Sequence, residues 1–239
     1  MGIITTIKNI FSKADFEDEH TLDEEKELEQ DLILDIYEQT KYDYHRIQNL
    51  ALVRELERQS NYKIVFHLIP KSQNYKNVRS YIEYTFKSWQ KWQDLRVLFF
   101  AKTDNKCSCC ERVFTKENGG ELHELWSFND IRKVQKLEQL IPLCNECHSI
   151  AHITRYKNNN EKLNALIDLY CLYNEIENDK GYTDLEFAEF LRANRNKINY
   201  SLDLSLLNKY GFSIESNFDC HSQKFNSFVM NEFSRETEE

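Results

Sequence analysis

The sequence predicts an α+β protein that is predominantly helical, and three observations support this fold class. The 239-residue chain is 30% charged and contains only two prolines, a composition typical of a helix-rich globular protein. Apolar residues recur every three or four positions in several long segments, as amphipathic helices require. Two C-x2-C pairs flank a Gly-Gly turn, which favours a compact unit containing β-structure between the helices.

The first half of the chain offers two helical regions and one strand. Residues 1–61 hold 15 acidic and 7 basic residues, and the apolar spacing between Leu22 and Ser60 predicts two amphipathic helices. The stretch Lys63–Pro70 favours a short strand, because it is β-branched and aromatic and ends at proline. Ser88 is a predicted helix cap, and the aromatic and leucine side chains of Trp89–Phe99 predict the helix that follows.

The centre of the chain holds the two C-x2-C pairs, Cys107 with Cys110 and Cys144 with Cys147. One tight turn aims two sulfurs at an ion and a second turn completes a tetrahedron, so the spacing predicts a structural zinc site with four cysteine ligands. Cys109 is an alternative ligand, but adjacent cysteines chelate poorly together, which favours the first pairing. The other interpretations are four buried thiols, or a redox-sensing thiolate site in which Cys109 participates.

Between the two pairs the sequence predicts a β-hairpin. Asn118-Gly119-Gly120 is a turn signal, with Arg112–Phe114 and Glu121–Trp126 as the arms. His148 directly follows the last cysteine and begins a predicted helix that continues through His152. The order of cysteine pair, hairpin, cysteine pair and helix is that of a ββα-metal, or treble-clef, zinc finger, here embedded in helices.

Two further helices are predicted after the finger. Leucines spaced every three residues from Leu163 to Leu172 predict one, and the capping-box pattern of Thr183–Glu186 predicts the start of another. The predicted organisation has three parts: an acidic helical region at residues 1–61, a central domain at 62–213 with its finger at about 104–156, and an acidic tail at 214–239.

The charge is divided unevenly along this organisation. The net charge is −9, yet residues 62–213 hold 22 basic against 19 acidic residues. Basic side chains cluster around the finger and are predicted to contact phosphates of a nucleic acid: Arg132, Lys133, Lys136, Arg155 and Lys157. The alternative is an ordinary solvated surface.

The compartment and the partners follow from what the sequence lacks. No apolar run approaches the length of a membrane span, and the first residues lack the pattern of a signal peptide. Seven cysteines in such a chain favour metal ligands or free thiols over disulfides. We therefore expect a cytoplasmic protein without a membrane partner.

The central domain resembles the HNH endonucleases, and among them the zinc-stabilised proteins with a His-Glu-x-Trp form of the motif. The resemblance covers about residues 62–213 and not the acidic region before them. It rests on the following sequence motifs, which occur in the order expected for the family: His67–Ser72 with Asn77–Arg79, Leu122–Asp130, Gln135–Leu137, Leu143–His148 with His152, and Leu202–Ser205 with Tyr210-Gly211.

The resemblance implies a metal-dependent hydrolase of phosphodiester bonds in DNA. Its structural zinc would be separate from a catalytic Mg2+ or Mn2+ ion. His148 would help to hold the catalytic ion, and His152, one helical turn further on, could serve as an additional ligand. His123 would deprotonate the attacking water.

The chain departs from the usual HNH pattern at Leu122-His123-Glu124. If His123 aligns with the second motif position, it is the base and Leu122 stands at the ligand position, where it cannot coordinate. If it aligns with the first, it is a metal ligand and Glu124 takes the position of the base. We expect the first alignment. The middle Asn of the motif is also absent, with Gln139 near its place.

These departures leave a second class of function open. A zinc finger that has lost turnover would bind nucleic acid or protein without cutting it. The acidic residues 1–61 are expected either to contact a protein partner or to cover the basic site as an autoinhibitory segment. His67, in an apolar stretch, is expected to be a core histidine rather than a ligand.

Overall fold

The computed structural model describes residues 61–115, 119–214 and 218–236, with side chains to Asn231. It confirms an α+β fold in which helices accompany one three-stranded sheet. The helices are α1 (Val78–Phe86), α2 (Trp89–Lys102), α3 (Asn145–Ala151), α4 (Asn160–Asn174), α5 (Asn178–Arg195) and α6 (Gln223–Glu236). The strands are β1 (Gly120–Asn129), β2 (Val134–Cys144) and β3 (Ser201–Asp203). The two helices predicted before residue 61 lie outside the described residues.

The sheet is built on one long hairpin. β1 pairs with β2 in the antiparallel sense, and the short β3 joins the other side of β2 in parallel. The register shifts between Leu125 and Trp126, whose partners are Gln139 and Leu137, so that Glu138 is an extra residue in β2. Such bulges re-aim side chains and are frequent beside functional sites.

The predicted arms of this hairpin were partly wrong. β1 contains the predicted second arm, but its partner is β2 and not Arg112–Phe114. That segment folds back on the first cysteine pair instead: Val113 bridges to Lys106, and the Cys107 amide donates to the Arg112 carbonyl at 2.9 Å. The turn that carries the first cysteine pair therefore uses the backbone groups that a strand at this place would need for pairing.

The stretch Lys63–Pro70 is also not a strand. Its backbone is hydrogen-bonded to helix ends rather than to a neighbouring strand: Ile64 exchanges two bonds with the Asn174 side chain, at 3.2 and 2.8 Å, and the His67 amide donates to the Ala151 carbonyl at 2.8 Å. Its apolar side chains are nevertheless mostly buried.

Helix starts show which local signals were decisive. Ser88 caps α2 as predicted, and its hydroxyl accepts the Lys91 amide at 3.3 Å. Trp89 at the start of this helix is 48% exposed, while Trp92, Leu95 and Phe99 face the core. α5 begins at Asn178, so Thr183 lies inside the helix and its hydroxyl donates to the Asp179 carbonyl at 2.9 Å.

Two hydrophobic clusters flank the hairpin and the cysteine pairs. One contains the cysteine pairs together with α3, α4 and the segment before Pro70; the other joins α1 and α2 to the opposite face of the hairpin. Leu122 and Trp126 of β1 both belong to the second cluster.

Among the described residues, no helix is both long and apolar enough to cross a membrane.

Candidate metal centres and the cavity beside them

The two cysteine pairs converge, and we refer to Cys107, Cys110, Cys144 and Cys147 as the four-cysteine cluster. Their sulfur atoms all lie within 4.8 Å of one another. The Cys110 and Cys144 sulfurs are 3.7 Å apart. A tetrahedron with zinc–sulfur bonds of ordinary length separates its sulfurs by about 3.8 Å. All seven cysteines are free thiols, so the cluster has the residues and the dimensions of a metal site.

Local backbone structure holds both halves of this cluster. The first pair lies in a turn whose Ser108 amide donates to the Pro142 carbonyl of β2 at 2.9 Å. The second pair follows directly, because Cys144 ends β2 and caps α3, while Cys147 lies in the first turn of that helix. The Cys144 amide also donates to the Cys107 sulfur at 3.3 Å. The strand thus places one pair against the other.

The thiols share their protons unevenly. Hydrogen bonds from Cys144 and Cys147 lower the pKa of Cys107. The pKa of Cys147 is raised, first by its hydrogen bonds with Cys107 and then by those with Cys109. Burial raises the pKa of Cys110 to about 11. Cys109 is buried against the cluster without belonging to the convergent set, in agreement with the expected pairing.

A second convergent set, the three-histidine cluster, consists of His123, His148 and His152. One ring nitrogen of each lies within 4.8 Å of those of the others. The ring centroids are 5.4 Å apart for His123 and His148, 5.0 Å for His123 and His152, and 4.6 Å for His148 and His152. The predicted bounds of the helix were wrong, since α3 begins at Asn145, before His148, and ends at Ala151, so that His152 directly follows it. His148 and His152 are nevertheless brought together, and His123 of β1 joins them.

The histidines are held as neutral rings. His123 is 3% exposed, and its buried Nε2 has no hydrogen-bond partner among the described residues. Burial lowers the pKa of His123 and of His152 well below the ordinary value and lowers that of His148 to about 4; the nearby charge of Arg155 acts in the same direction. Neutral imidazole is the form that binds metal ions.

Glu124 points away from this cluster into the wall formed by α1. Its Oε1 accepts the Val78 amide at 2.8 Å, and its Oε2 accepts the indole N–H of Trp126 at 3.2 Å. Burial raises the pKa of Glu124 to about 7, against the effect of its hydrogen bonds. The carboxylate thus supports the start of a helix and also lines the cavity described next.

A cavity of about 440 Å3 lies along the free edge of β1. Its wall includes the three-histidine cluster and Glu124. The described residues that line it include a single carboxylate but four cationic side chains: Lys76, Arg79, Arg155 and Arg192. In a chain of net charge −9, this is a local concentration of positive charge that favours anionic ligands.

His67 is buried beside the cluster, as expected of a core histidine. Its Nε2 lies 3.0 Å from the amide nitrogen of Trp126 and accepts that N–H. Its ring centroid is 5.3 Å from that of His123. His67 therefore occupies the edge of β1 just after the register shift and packs against His123 of the three-histidine cluster.

One of the five basic residues predicted to bind nucleic acid lines this cavity, namely Arg155. The other four are exposed elsewhere: Arg132, Lys133, Lys136 and Lys157. The turn after β1 begins at Asp130, seven residues beyond His123, or roughly 23 Å along the strand. Contact of these four residues with nucleic acid stays a prediction.

Sequence reasoning missed several residues of the cavity wall, among them Lys76, Thr154 and Arg192. Arg192 is 40 positions from His152 in the sequence and belongs to α5, outside the finger. No local motif marks it, because only the packing of α5 beside the finger brings it to the cavity. Thr154 had a weak signal, since it lies two residues after His152.

No protein-family model, no curated protein and no solved structure matches this chain. The two clusters and the cavity themselves are the basis for inferring the function.

Proposed function

We propose that this chain is a metal-dependent DNA endonuclease of the HNH type with a treble-clef finger. The observation that carries the proposal is the placement of two convergent ligand sets on one β-strand–helix unit: α3 contributes to both, through Cys147 to the first and His148 to the second. This chemistry needs an ion with an open coordination position, and a structural ion beside it can hold the fold around that ion.

The four-cysteine cluster suits zinc. Four thiolates within tetrahedral dimensions are the ligand set of structural zinc sites. The cluster is largely buried, and only Cys110 is partly exposed. We therefore assign to it the role of fixing the hairpin to α3, with no part in the reaction.

The three-histidine cluster suits a different ion from the one that the resemblance implies. Its donors are three neutral imidazoles, which favour zinc, nickel or cobalt over manganese, and manganese over magnesium. The buried Nε2 of His123 has no hydrogen-bond partner among the described residues, and a bound ion would supply one. We propose that a transition-metal ion binds here and that His123 is a ligand rather than the base.

The reaction would then use the residues of the cavity. The bound ion would stabilise the charge that develops on the phosphate oxygens. As water attacks phosphorus and the bond to the 3′ oxygen breaks, the proton of the water would pass through an intervening water to Glu124, the single carboxylate among the described residues of the cavity wall, because its side chain points away from the three-histidine cluster. The leaving oxygen takes its proton from solvent. Arg155 lies at the same wall and adds positive charge.

A second candidate is a finger that binds without cutting. It is favoured by two observations at β1: Leu122 is buried in the core at a position where HNH motifs carry a ligand, and both oxygens of Glu124 already accept hydrogen bonds. A carboxylate occupied in this way is a weaker base if the fold does not release it.

Cleavage of supercoiled plasmid separates the two candidates. Protein with one zinc per chain would be assayed with added zinc, nickel, manganese and magnesium, beside His123→Ala and the control Gln90→Ala, an exposed residue of α2 that does not line the cavity. We expect nicking with transition metals, its loss in His123→Ala and its retention in the control. Binding of plasmid without nicking under every metal would instead establish the non-catalytic finger.

A further inference from the structure

Arg192 reaches the cavity from α5, a helix that lies outside the finger. Its Nη1 donates to the Thr154 hydroxyl at 3.1 Å, and both residues line the cavity together with His152. Since Thr154 follows His152 by two residues, this hydrogen bond fixes the guanidinium beside the three-histidine cluster. The position of Arg192 is thus defined by the same chain segment that carries a cluster ligand.

The guanidinium of Arg192 has hydrogen-bond donor capacity that the described residues do not satisfy. Its Nε is buried and has no hydrogen-bond partner among the described residues. Among the described residues, no carboxylate lies within ion-pairing distance of the Arg192 guanidinium. A buried charged donor without an acceptor is costly in free energy, and a ligand that supplies one removes the cost.

Arg195, one turn further along α5, shows the contrast. Its Nε lies 3.2 Å from an Asp130 oxygen, its side chain is 3% exposed, and its guanidinium lies 4.8 Å from the Phe128 ring centroid. The helix therefore carries one arginine paired and buried as part of the core, and another held at a cavity with donor capacity left over. The second arrangement is the one expected of a ligand-binding residue.

The charges around Arg192 indicate an anion with more than one phosphate. Arg155 lies on the same wall as Arg192, whereas Lys76 precedes α1 and Arg79 lies in its first turn. Glu124 is the single carboxylate among the described residues of the lining, and Arg79 is already paired with Glu83 at 2.9 Å, so the excess positive charge of the cavity rests on Lys76, Arg155 and Arg192. A nucleic-acid backbone, with its repeated phosphates, can occupy such a run of cations.

We infer that Arg192 binds a backbone phosphate of the nucleic acid beside the three-histidine cluster, with its guanidinium oriented by Thr154. This inference rests on the nuclease function proposed above. Arg192 donates from its guanidinium to a non-bridging oxygen of one phosphate, and Arg155 adds charge at the same wall. The residue positions the substrate and takes no proton in the reaction.

The test compares binding and cleavage for Arg192→Gln with Lys197→Gln as the matched control, since Lys197 is exposed just after the end of α5 and does not line the cavity. Two probes are titrated without added metal: a duplex DNA of about 20 base pairs and thymidine 3′,5′-bisphosphate. For Arg192→Gln we expect about a tenfold rise in Kd for both, and for the duplex a slope of log K against log salt that is smaller by about 0.9. The control should leave both unchanged.

Two further variants identify the geometry. Arg192→Lys keeps the charge but loses the planar fork, so we expect an intermediate Kd. Thr154→Val removes the orienting hydroxyl and should raise KM for plasmid cleavage without lowering kcat in proportion. Zinc content and melting temperature of each variant show that the fold is intact, and the two milder variants carry the test if Arg192→Gln fails to fold.

The results separate this inference from the nuclease proposal. If the wild type cuts plasmid and Arg192→Gln cuts it with the same KM, the phosphate role is wrong while the nuclease stands. If the wild type never cuts but binds the bisphosphate in a way that needs Arg192, the phosphate site stands and the nuclease falls. If the wild type binds neither probe, or Arg192→Gln binds both as tightly as the wild type does, the inference is overturned.

Discussion

The four-cysteine cluster and the three-histidine cluster are built on the same hairpin and helix, yet they differ in charge and in access. The four-cysteine cluster gathers four thiols, which become anionic thiolates on binding a metal, into a largely buried site. The three-histidine cluster gathers three neutral rings at the wall of a cavity. Closed sites with four protein ligands are structural, and sites with three ligands and an open position are catalytic. Under the proposed function, one short element would support both stability and chemistry, because its neighbouring side chains face different surroundings.

The largest expected effect concerns the closed cluster. Cys144→Ser should remove zinc and unfold the finger, because structural zinc in finger peptides contributes about 10–16 kcal/mol of apparent binding free energy to folding. Zinc content by elemental analysis and the melting temperature measure this. Cys171→Ser is the control, since Cys171 lies outside the cluster and donates to the Glu177 carbonyl. Unchanged zinc content in Cys144→Ser would refute the assignment.

A smaller effect on folding, but a large one on activity, is expected at the open cluster. His148→Ala should keep one zinc per chain and a nearly unchanged melting temperature, while cleavage falls by more than about 100-fold, since loss of even the outer partners of metal ligands lowers activity by about 10- to 100-fold. Plasmid nicking and zinc stoichiometry are measured on the same sample. Loss of the structural zinc in this variant would mean that the two clusters are not independent sites.

The smallest effect should spare both clusters. Asn77 caps α1, and its side chain accepts the Ser80 amide at 2.8 Å, so Asn77→Ala should lower the free energy of unfolding by about 1 kcal/mol. Chemical denaturation measures the change, and metal content should remain that of the wild type. A loss of either metal would show that the cavity wall and the metal clusters form one cooperative unit.

The parts of the site that could be predicted are those encoded by short spacing. Two C-x2-C pairs specify four ligands almost by themselves, because each pair lies within one turn of chain. His148 and His152 lie one helical turn apart, so their proximity also followed from local geometry. The same holds for the start of α2 at Ser88.

The parts that could not be predicted depend on long-range pairing. Arg112–Phe114 has the composition of a strand, but its backbone is used by the turn that carries the first cysteine pair. Lys63–Pro70 also has such a composition, but it bonds to helix ends. Thr183 has a capping-box pattern and lies inside α5, since the helix already begins at Asn178. Arg192 has no pattern at all, because only tertiary packing makes it part of the cavity.

The position of His67 on β1 has a consequence for how the protein avoids self-association. β1 is an edge strand of the described sheet, and an edge amide left open can pair with a strand of another molecule. Here the ring of His67 accepts the Trp126 amide at 3.0 Å and occupies that place. A side chain packed beside the three-histidine cluster thus also covers an open amide of the sheet edge, so that a substitution chosen to probe the cluster can alter solubility as well.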